Sequence, residues 1–302
     1  MPSPPIILIH RGDSFYLAHT IAQARSSNPE SRLILLGDRS NSFYLGIEHH
    51  RYDDYFDEAR EFAKLFTYEY FPNYQYPWIL FCHQKYFALR DFVRAQGIDR
   101  FLLIDSDVMI YEHVRPYFEF YRNYRMTLSA LTSGPTAQAA FAVVNDPAAI
   151  GDLCRIYNEL FRISPENLRT RFGTDCFTEM LGLALLLQDP AQRIKNTFEP
   201  NERFSIHHNL LDDTRFEKEG EFAAIFWQEH RPVFREQNTG QLRRSPVIHF
   251  HGHAKKVMSR HLKLRGISVR LTHAANRMMS ALAKYPMRAT NRIMKRAVFP
   301  GI

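Results

Sequence analysis

The sequence predicts an α/β fold with a mainly parallel central sheet flanked by helices. Short apolar runs bounded by turn residues, which are typical of buried strands, occur at residues 5–10, 33–36 and 101–111. A segment with helical spacing separates the first two runs, and such strand–helix–strand units place their strands in parallel. Ligands of parallel sheets bind beyond the carboxyl ends of the strands. We therefore expect the loops that follow these strands to lie at the edge of a binding site.

The remaining elements follow from the same patterns. Residues 42–78 are rich in Tyr and Phe and are expected to be irregular, with most rings packed in the core or in a lid. The other predictions, in chain order, are helix 16–24, helix 78–96 ended by Gly97, strands 125–131 and 137–145, helix 147–162 opened by Pro147, and helix 173–188. The loop after the first strand lacks GxGxxG, which disfavours dinucleotide binding of the Rossmann type.

The composition places the chain among globular proteins of a reducing compartment. Its 302 residues are 45% hydrophobic, which suffices for a large core. The cysteine count is three, with no CxxC pair, so free thiols in a cytoplasmic setting are expected. The N-terminal residues have no positive start and no long apolar run, so neither a signal peptide nor a membrane anchor is expected there.

The charge is distributed unevenly along the chain. There are 39 Lys and Arg against 32 Asp and Glu, giving a net charge of +7. Fourteen of these basic residues, and none of the acidic ones, come after Glu236. The tail is therefore strongly basic and the rest mildly acidic, which indicates an anionic partner for the tail, either membrane phospholipid or nucleic acid.

The apolar run from Phe101 to Tyr111 contains two aspartates, Asp105 and Asp107, separated only by Ser106. A carboxylate in a buried strand is costly unless it is paired, hydrogen-bonded or bound to a metal. Hard divalent cations take oxygen ligands and bridge carboxylates to substrate phosphates, so the pair predicts a cation site. The alternative is an ordinary strand end, where Asp and Ser cap a turn. These residues alone leave both interpretations open.

A second group of candidate residues lies near residue 250: His249, His251, Gly252, His253, Lys255 and Lys256. On a strand the three alternating histidines would face one way, and glycine would let the backbone approach a ligand. An imidazole can ligate a cation and an ammonium can neutralise phosphate oxygens, so the segment predicts a site for a metal-bound diphosphate. The alternative is a structural strand that carries histidines by chance.

Two further side chains are candidates for the same site. Lys85, on a helix next to the central strand, would reach a phosphate; the alternative is a solvated lysine. Asp175, at the start of the helix over 173–188, would present a carboxylate to a substrate hydroxyl; the alternative is an N-cap.

Two motifs resemble those of a known enzyme class. Asp105-Ser106-Asp107 at the end of an apolar strand resembles the DXD motif of GT-A glycosyltransferases, and residues 249–255 fit the HxxGxxK of glycosyltransferase family eight. The resemblance implies that Asp105, Asp107 and His249 hold Mn²⁺ or Mg²⁺ on the diphosphate of a nucleotide sugar. Such a metal acts as a Lewis acid on the leaving diphosphate.

The same resemblance assigns roles to other residues. Gly252 and Lys255 would contact the diphosphate, and the loop from His10, with Asp13 and Tyr16, is similar to the place that holds the nucleotide base. Asp175 is similar in position to an acidic residue at the acceptor side. The chain departs from the family after its lysine, where Pro and Trp are usual and Lys256 and Val257 stand instead. Retention of the anomeric configuration is therefore left open.

The final segment predicts a basic amphipathic helix. Ile267, Leu271, Ala274, Met278 and Leu282 share one helical face, bordered by Arg270, Arg277 and Lys284, and Pro286 ends the helix. Apolar burial and charge attraction together suit the surface of an anionic membrane. The alternative is a helix packed on the acidic body of the protein.

These observations favour one function over two alternatives. We expect a metal-dependent glycosyltransferase that uses a nucleotide-diphosphate sugar, with a UDP-sugar favoured, and a glycan or glycolipid acceptor in cell-surface polysaccharide synthesis. Residues 1–258 would form its GT-A domain and residues 259–302 a tail at the inner face of the membrane. A nucleic-acid-associated nuclease or nucleotidyltransferase is disfavoured by the acidic body. The intact pair Asp105 and Asp107, with His249, disfavours a non-catalytic transferase fold.

Overall fold

The computed structural model describes residues 3–130, 136–173, 177–197, 210–211 and 214–284. The strands in chain order are β1 (Ile6–Ile9), β2 (Leu33–Gly37), β3 (Glu48–Arg51), β4 (Phe101–Ile104), β5 (Val108–Ile110), β6 (Met126–Ala130), β7 (Ala137–Gln138), β8 (Phe141–Val144), β9 (Ile194–Asn196), β10 (Lys218–Glu219), β11 (Phe222–Ala223), β12 (Phe226–Gln228), β13 (Arg231–Arg235), β14 (Leu242–Arg244) and β15 (Val247–His249). The helices are α1 (Leu17–Ser27), α2 (Asp57–Phe62), α3 (Tyr76–Ala95), α4 (Arg115–Phe120), α5 (Ala148–Leu160), α6 (Pro165–Phe172), α7 (Glu179–Gln188) and α8 (Ile267–Ala283).

The central sheet has eight strands in the order β3-β2-β1-β4-β8-β6-β7, with β9 paired to β6. The pairs from β3 to β4 and the pair of β6 with β9 are parallel. Strand β8 runs antiparallel to both β4 and β6, and β7 is antiparallel to β6. The predicted α/β class, with a mainly parallel central sheet, is confirmed.

Helices cover both faces of this sheet. Strands buried on both faces read as nearly continuous apolar runs, as IILI in β1 and LILLG in β2 do. Successive side chains point to opposite faces, so Ile7 joins a core with α2, α3, α5 and α7, whereas Ile6 joins one with α1 and α4. The two cores fix the sheet between its helical layers.

The run from Phe101 to Tyr111 is two strands instead of one. Strand β4 ends at Ile104, the amide of Val108 donates to the carbonyl of Asp105 at 3.1 Å, and β5 then leaves the central sheet. Strand β5 pairs antiparallel with β15, which places His249 opposite Val108. The two aspartates therefore lie at a turn after β4, where Asp107 is still buried and its carboxylate needs a partner.

Other boundaries differ from the predictions in specific ways. Residues 42–78 are not irregular, since they form β3, α2 and two short 3₁₀ turns, although rings such as Phe62 and Phe66 are buried in the core as expected. Helix α6 was not predicted; it ends at Gly173, whose φ of 63° is left-handed. Helix α7 begins at Glu179, later than predicted, because Thr178 is still extended.

Helix α8 packs on α1, and the predicted helix from Ile267 is confirmed. Among the residues that the structure describes, no helix combines the length and the apolar character needed to span a membrane.

Candidate functional site

A cavity of about 630 Å³ opens at the carboxyl ends of β1 and β4. The loop after β1, the turn after β4, the first half of α3, the start of α7 and the segment after β15 all contribute to its lining. Strands of a parallel sheet present their carboxyl ends to ligands, so this is where a site was expected.

Two carboxylates and an imidazole converge in this cavity. One ligand atom from each of Asp105, Asp107 and His249 lies within 4.8 Å of the other two. His249 Nε2 is 3.3 Å from Asp107 Oδ1, and the amide of Phe250 donates to the carbonyl of Asp107 at 2.9 Å. The three predicted metal ligands are thus brought together by the β5–β15 pairing, and two oxygens with one nitrogen are a donor set that suits a divalent cation.

Lys255 reaches the same carboxylate from the other side. Its Nζ lies 2.9 Å from Asp107 Oδ2 and 5.3 Å from the centre of the Tyr16 ring. Burial favours neutral Asp107, but His249 and Lys255 outweigh it and hold the pKa of this carboxyl well below its usual range. The left-handed φ of Gly252, 57°, turns the chain between His249 and Lys255. The predicted glycine therefore shapes the loop.

Lys85 pairs with the other carboxylate of the motif. Its Nζ lies 3.1 Å from Asp105 Oδ1, and its side chain is largely buried. Burial opposes the charged ammonium, yet the Asp105 carboxylate raises the pKa of Lys85 well above its usual value. The solvated alternative is therefore wrong, because α3 lies directly beside the β4 turn and this face of it lines the cavity.

His10 and Ser106 form one hydrogen-bonded unit in the floor of the cavity. His10 Nδ1 lies 2.9 Å from Ser106 Oγ, and His10 Nε2 lies 3.0 Å from Ser14 Oγ. The hydroxyl of Thr20 donates to the carbonyl of Ser106 at 2.6 Å. Burial lowers the pKa of His10 to about 4, so the ring is neutral at pH 7. These bonds hold the turn that carries the two aspartates.

Some side chains of the loop after β1 line the cavity, and others point away from it. Tyr16 and Arg11 line the cavity, as predicted for Tyr16. Asp13 does not line it; its carboxylate accepts bonds from Tyr44 and Ser280 and pairs with Lys284.

The alternating histidines do not share one face, because β15 ends at His249. His251 lines the cavity, whereas His253 Nε2 lies 2.8 Å from the carboxylate of Glu221 outside it. The prediction that all three face one way is wrong, since the chain turns at Gly252.

Asp175 lies outside the described residues. Four residues later in the chain, Glu179 lines the cavity at the start of α7. Burial of the Glu179 carboxyl raises its pKa. A carboxylate directly before the apolar run MLGLALLL was the signal that could have identified it.

Polar atoms without partners also line the cavity. Within the described part of the chain, Gln138 Oε1 and Thr178 Oγ1 are buried and accept or donate no hydrogen bond. Buried polar groups are normally satisfied, so unpaired ones in a cavity are suited to a polar ligand. Neither residue stands in a recognisable motif, which is why the sequence did not point to them.

Comparison with known proteins gives weak structural similarities only. No protein-family model matches the sequence, and neither does any curated protein. Mouse xyloside xylosyltransferase 1 in its apo form is similar with a TM-score of 0.47 and 10% identity, over 70% of this chain and 88% of that one. The glycosyltransferase GlyE of Streptococcus pneumoniae TIGR4 has a TM-score of 0.37 and 15% identity, over 64% of this chain and 45% of that one.

A third structure is a glycosyltransferase involved in glycosylation of the major capsid of PBCV-1. It has a TM-score of 0.33 and 12% identity, over 67% of this chain and 86% of that one. All three scores are under 0.5, so these similarities assign neither a family nor an activity to the chain.

Proposed function

We propose that this chain is a metal-dependent GT-A glycosyltransferase that resembles family eight and moves a hexose from a nucleotide-diphosphate sugar, with a UDP-sugar favoured, to a glycan or glycolipid. One observation carries the proposal: Asp105, Asp107 and His249 converge within 4.8 Å in a cavity that two lysines also enter. Carboxylates, an imidazole and ammonium groups together match a cation and a diphosphate.

Asp105, Asp107 and His249 would hold the cation, Mn²⁺ or Mg²⁺. When bound, the ion supplies Lewis acidity to the leaving diphosphate. Lys255 and Lys85 are the cationic side chains in the lining closest to these ligands, at 2.9 and 3.1 Å from Asp107 and Asp105. Each ammonium has three donors, so it can contact a phosphate oxygen while keeping its carboxylate partner. Gly252 would keep the loop that carries Lys255 close to the diphosphate.

The loop after β1 would hold the nucleoside. His10 is neutral and fixes the aspartate turn through Ser106, while Tyr16 presents its ring to the cavity. An aromatic face next to an ammonium suits a base or ribose beside a diphosphate.

The opposite wall of the cavity would hold the sugars. Gln138, Thr178 and Glu179 offer polar groups there, and Trp78 lies at the rim of the same cavity. We assign Asp175 to the acceptor hydroxyl as the sequence predicts, with Glu179, four residues later in the chain, as a second carboxyl. Transfer with retention is the outcome that the family resemblance favours.

The partner of the tail in this proposal is an anionic membrane surface. Helix α8 exposes Ile267, Leu271, Met278 and Leu282, which we call the apolar face of α8. No acidic residue occurs after Glu236, so charge attraction to anionic lipid adds to apolar burial. The tail, residues 259–302, would thus hold the domain of residues 1–258 at the cytoplasmic face, next to lipid-linked acceptors for cell-surface polysaccharide.

Hydrolysis of nucleotide sugars with and without Mn²⁺ tests the proposal. We expect release of a nucleoside diphosphate that requires the ion and is lost in Asp107→Asn. Equal hydrolysis without any divalent ion, or in Asp107→Asn, would contradict it.

A further inference from the structure

We propose that α8 supports the donor site without lining it. Through Asp13 it positions the loop from His10 to Tyr16, so that loss of this contact weakens nucleotide binding. The inference rests on the proposed function for the nature of the ligand. It makes Asp13 a positioning residue instead of a nucleotide contact.

Helix α8 is attached to the body by polar side chains. His273 Nε2 lies 2.9 Å from His19 Nδ1, and Asn276 exchanges two hydrogen bonds with the backbone of Leu45, at 2.7 and 3.1 Å. With Ser280 and Lys284, these residues recur every three or four positions, which is the spacing of one helical face. We call His273, Asn276, Ser280 and Lys284 the polar seam of α8.

The polar seam and the apolar face of α8 lie on opposite sides. Asn276 and Met278 are two residues apart, and so about 200° apart around the helix. Asn276 and Ser280 are buried, whereas Met278 is exposed. A surface helix usually packs by its apolar side, so the reversed orientation indicates that the polar contacts determine where α8 sits.

The C-terminal end of the polar seam meets the loop after β1 at one side chain. Asp13 Oδ2 accepts from the Ser280 hydroxyl at 2.7 Å and lies 3.1 Å from Lys284 Nζ. Asp13 Oδ1 accepts from the Tyr44 hydroxyl at 2.7 Å. The Asp13 side chain is only 8% exposed, so these three groups replace the water that would otherwise bind its oxygens.

Two residues of the same loop, one before and one after Asp13 although not its immediate neighbours, face the cavity. Arg11 and Tyr16 line it, and the Tyr16 ring contacts Lys255, which pairs with the metal-ligand candidate Asp107. The loop has a second anchor, because the amide of Gly12 donates to Asp38 at 2.7 Å. Asp13 is the point at which α8 itself holds the loop.

Removing the Asp13 anchor should therefore loosen the loop while leaving the aspartate turn intact. A nucleotide must then order the loop when it binds, and this cost lowers its affinity without changing the bound geometry. The expected effect is a weaker affinity for the donor with an unchanged kcat. One lost hydrogen bond corresponds to a change of about three- to tenfold.

Full-length Ser280→Ala and Asp13→Asn test the inference against Ser268→Ala, a matched change at an exposed position on the same helix. Hydrogen exchange of residues 11–16 is measured first, followed by calorimetric titration with UDP in the presence of Mn²⁺. We expect faster exchange and a three- to tenfold higher Kd in Ser280→Ala, an effect at least as large in Asp13→Asn because it loses one acceptor oxygen and the charge that pairs with Lys284, and wild-type values in Ser268→Ala.

The outcomes are distinct. Unchanged exchange in Ser280→Ala, or faster exchange with an unchanged Kd, would overturn the inference. Failure of the wild-type protein to bind UDP with Mn²⁺ would instead count against the proposed function, and the exchange data would still decide whether α8 positions the loop.

Discussion

His249 Nε2 lies 3.3 Å from Asp107 Oδ1, although the two residues come from distant parts of the chain. Their contact depends on the β5–β15 pair, in which His249 stands opposite Val108. The site is therefore assembled where a small, buried two-stranded sheet meets the turn after β4 of the central sheet.

Replacing His249 should weaken metal binding. We expect His249→Ala to lower Mn²⁺ affinity by at least tenfold, because loss even of a residue that only supports a ligand costs about 10–100-fold. Calorimetric titration with Mn²⁺ measures this. His253→Ala, a histidine outside the cavity on the same loop, is the control, and equal losses in both variants would argue against His249 as a ligand.

Replacing Lys85 should affect both binding and stability. Lys85→Met leaves Asp105 without its cation and removes a phosphate contact, so UDP affinity in the presence of Mn²⁺ falls. Because Asp105 is 36% exposed, solvent screens the unpaired charge and the free energy of unfolding should drop by only about 1–2 kcal/mol. Urea denaturation and calorimetry measure the two effects. Lys64→Met, at an exposed ion pair, should change neither UDP affinity nor the free energy of unfolding. If Lys85→Met also changed neither quantity, this assignment would be wrong.

The apolar face of α8 should mediate membrane binding. Leu271→Ser with Met278→Ser replaces two exposed side chains, and burial of such a side chain contributes about 1.5–3 kcal/mol. We expect at least tenfold less co-sedimentation with phosphatidylglycerol vesicles at unchanged thermal stability. Phosphatidylcholine vesicles control for charge. Undiminished binding of the double variant would show that α8 does not contact lipid.

Acid should destabilise the protein through buried histidines. His83 is wholly buried, its Nδ1 lies 2.9 Å from the carbonyl oxygen of Ile79, and burial lowers its pKa to about 4. The unfolded chain takes up this proton near pH 6.5, so the free energy of unfolding falls as the pH drops from about 6.5 to about 4, by about 1.4 kcal/mol per pH unit.

His83→Leu should reduce that slope, as followed by urea denaturation at several pH values. His230→Leu, at an exposed histidine, is the control. If the slope were the same in His83→Leu and the wild type, the lowered pKa would not contribute to acid sensitivity.

The sheet could be predicted because its strands are buried on both faces. The runs around Ile7, Leu35 and Leu103 admit few other structures, and the helix from Tyr76 follows from its apolar spacing. The prediction for residues 42–78 was wrong, because aromatic residues pack in strands, helices and turns alike, and their spacing does not distinguish these structures.

The candidate site could be predicted most directly where side chains break an apolar pattern. Asp105, Asp107 and His249 do so, and the structure brings them together. The outcomes at Lys85 and Asp13 depend on tertiary contacts: the sequence cannot show that α3 turns Lys85 toward Asp105, or that Tyr44 and Ser280 bind the two oxygens of Asp13.

The most direct test of the central claim is a thermal-shift series with nucleoside diphosphates and nucleotide sugars, each with and without Mn²⁺. A ligand that binds only the folded state raises its melting temperature. The account predicts a rise with UDP or a UDP-sugar that requires Mn²⁺ and disappears in Asp107→Asn. No shift with any of these ligands, or the same shift in Asp107→Asn as in the wild type, would contradict it.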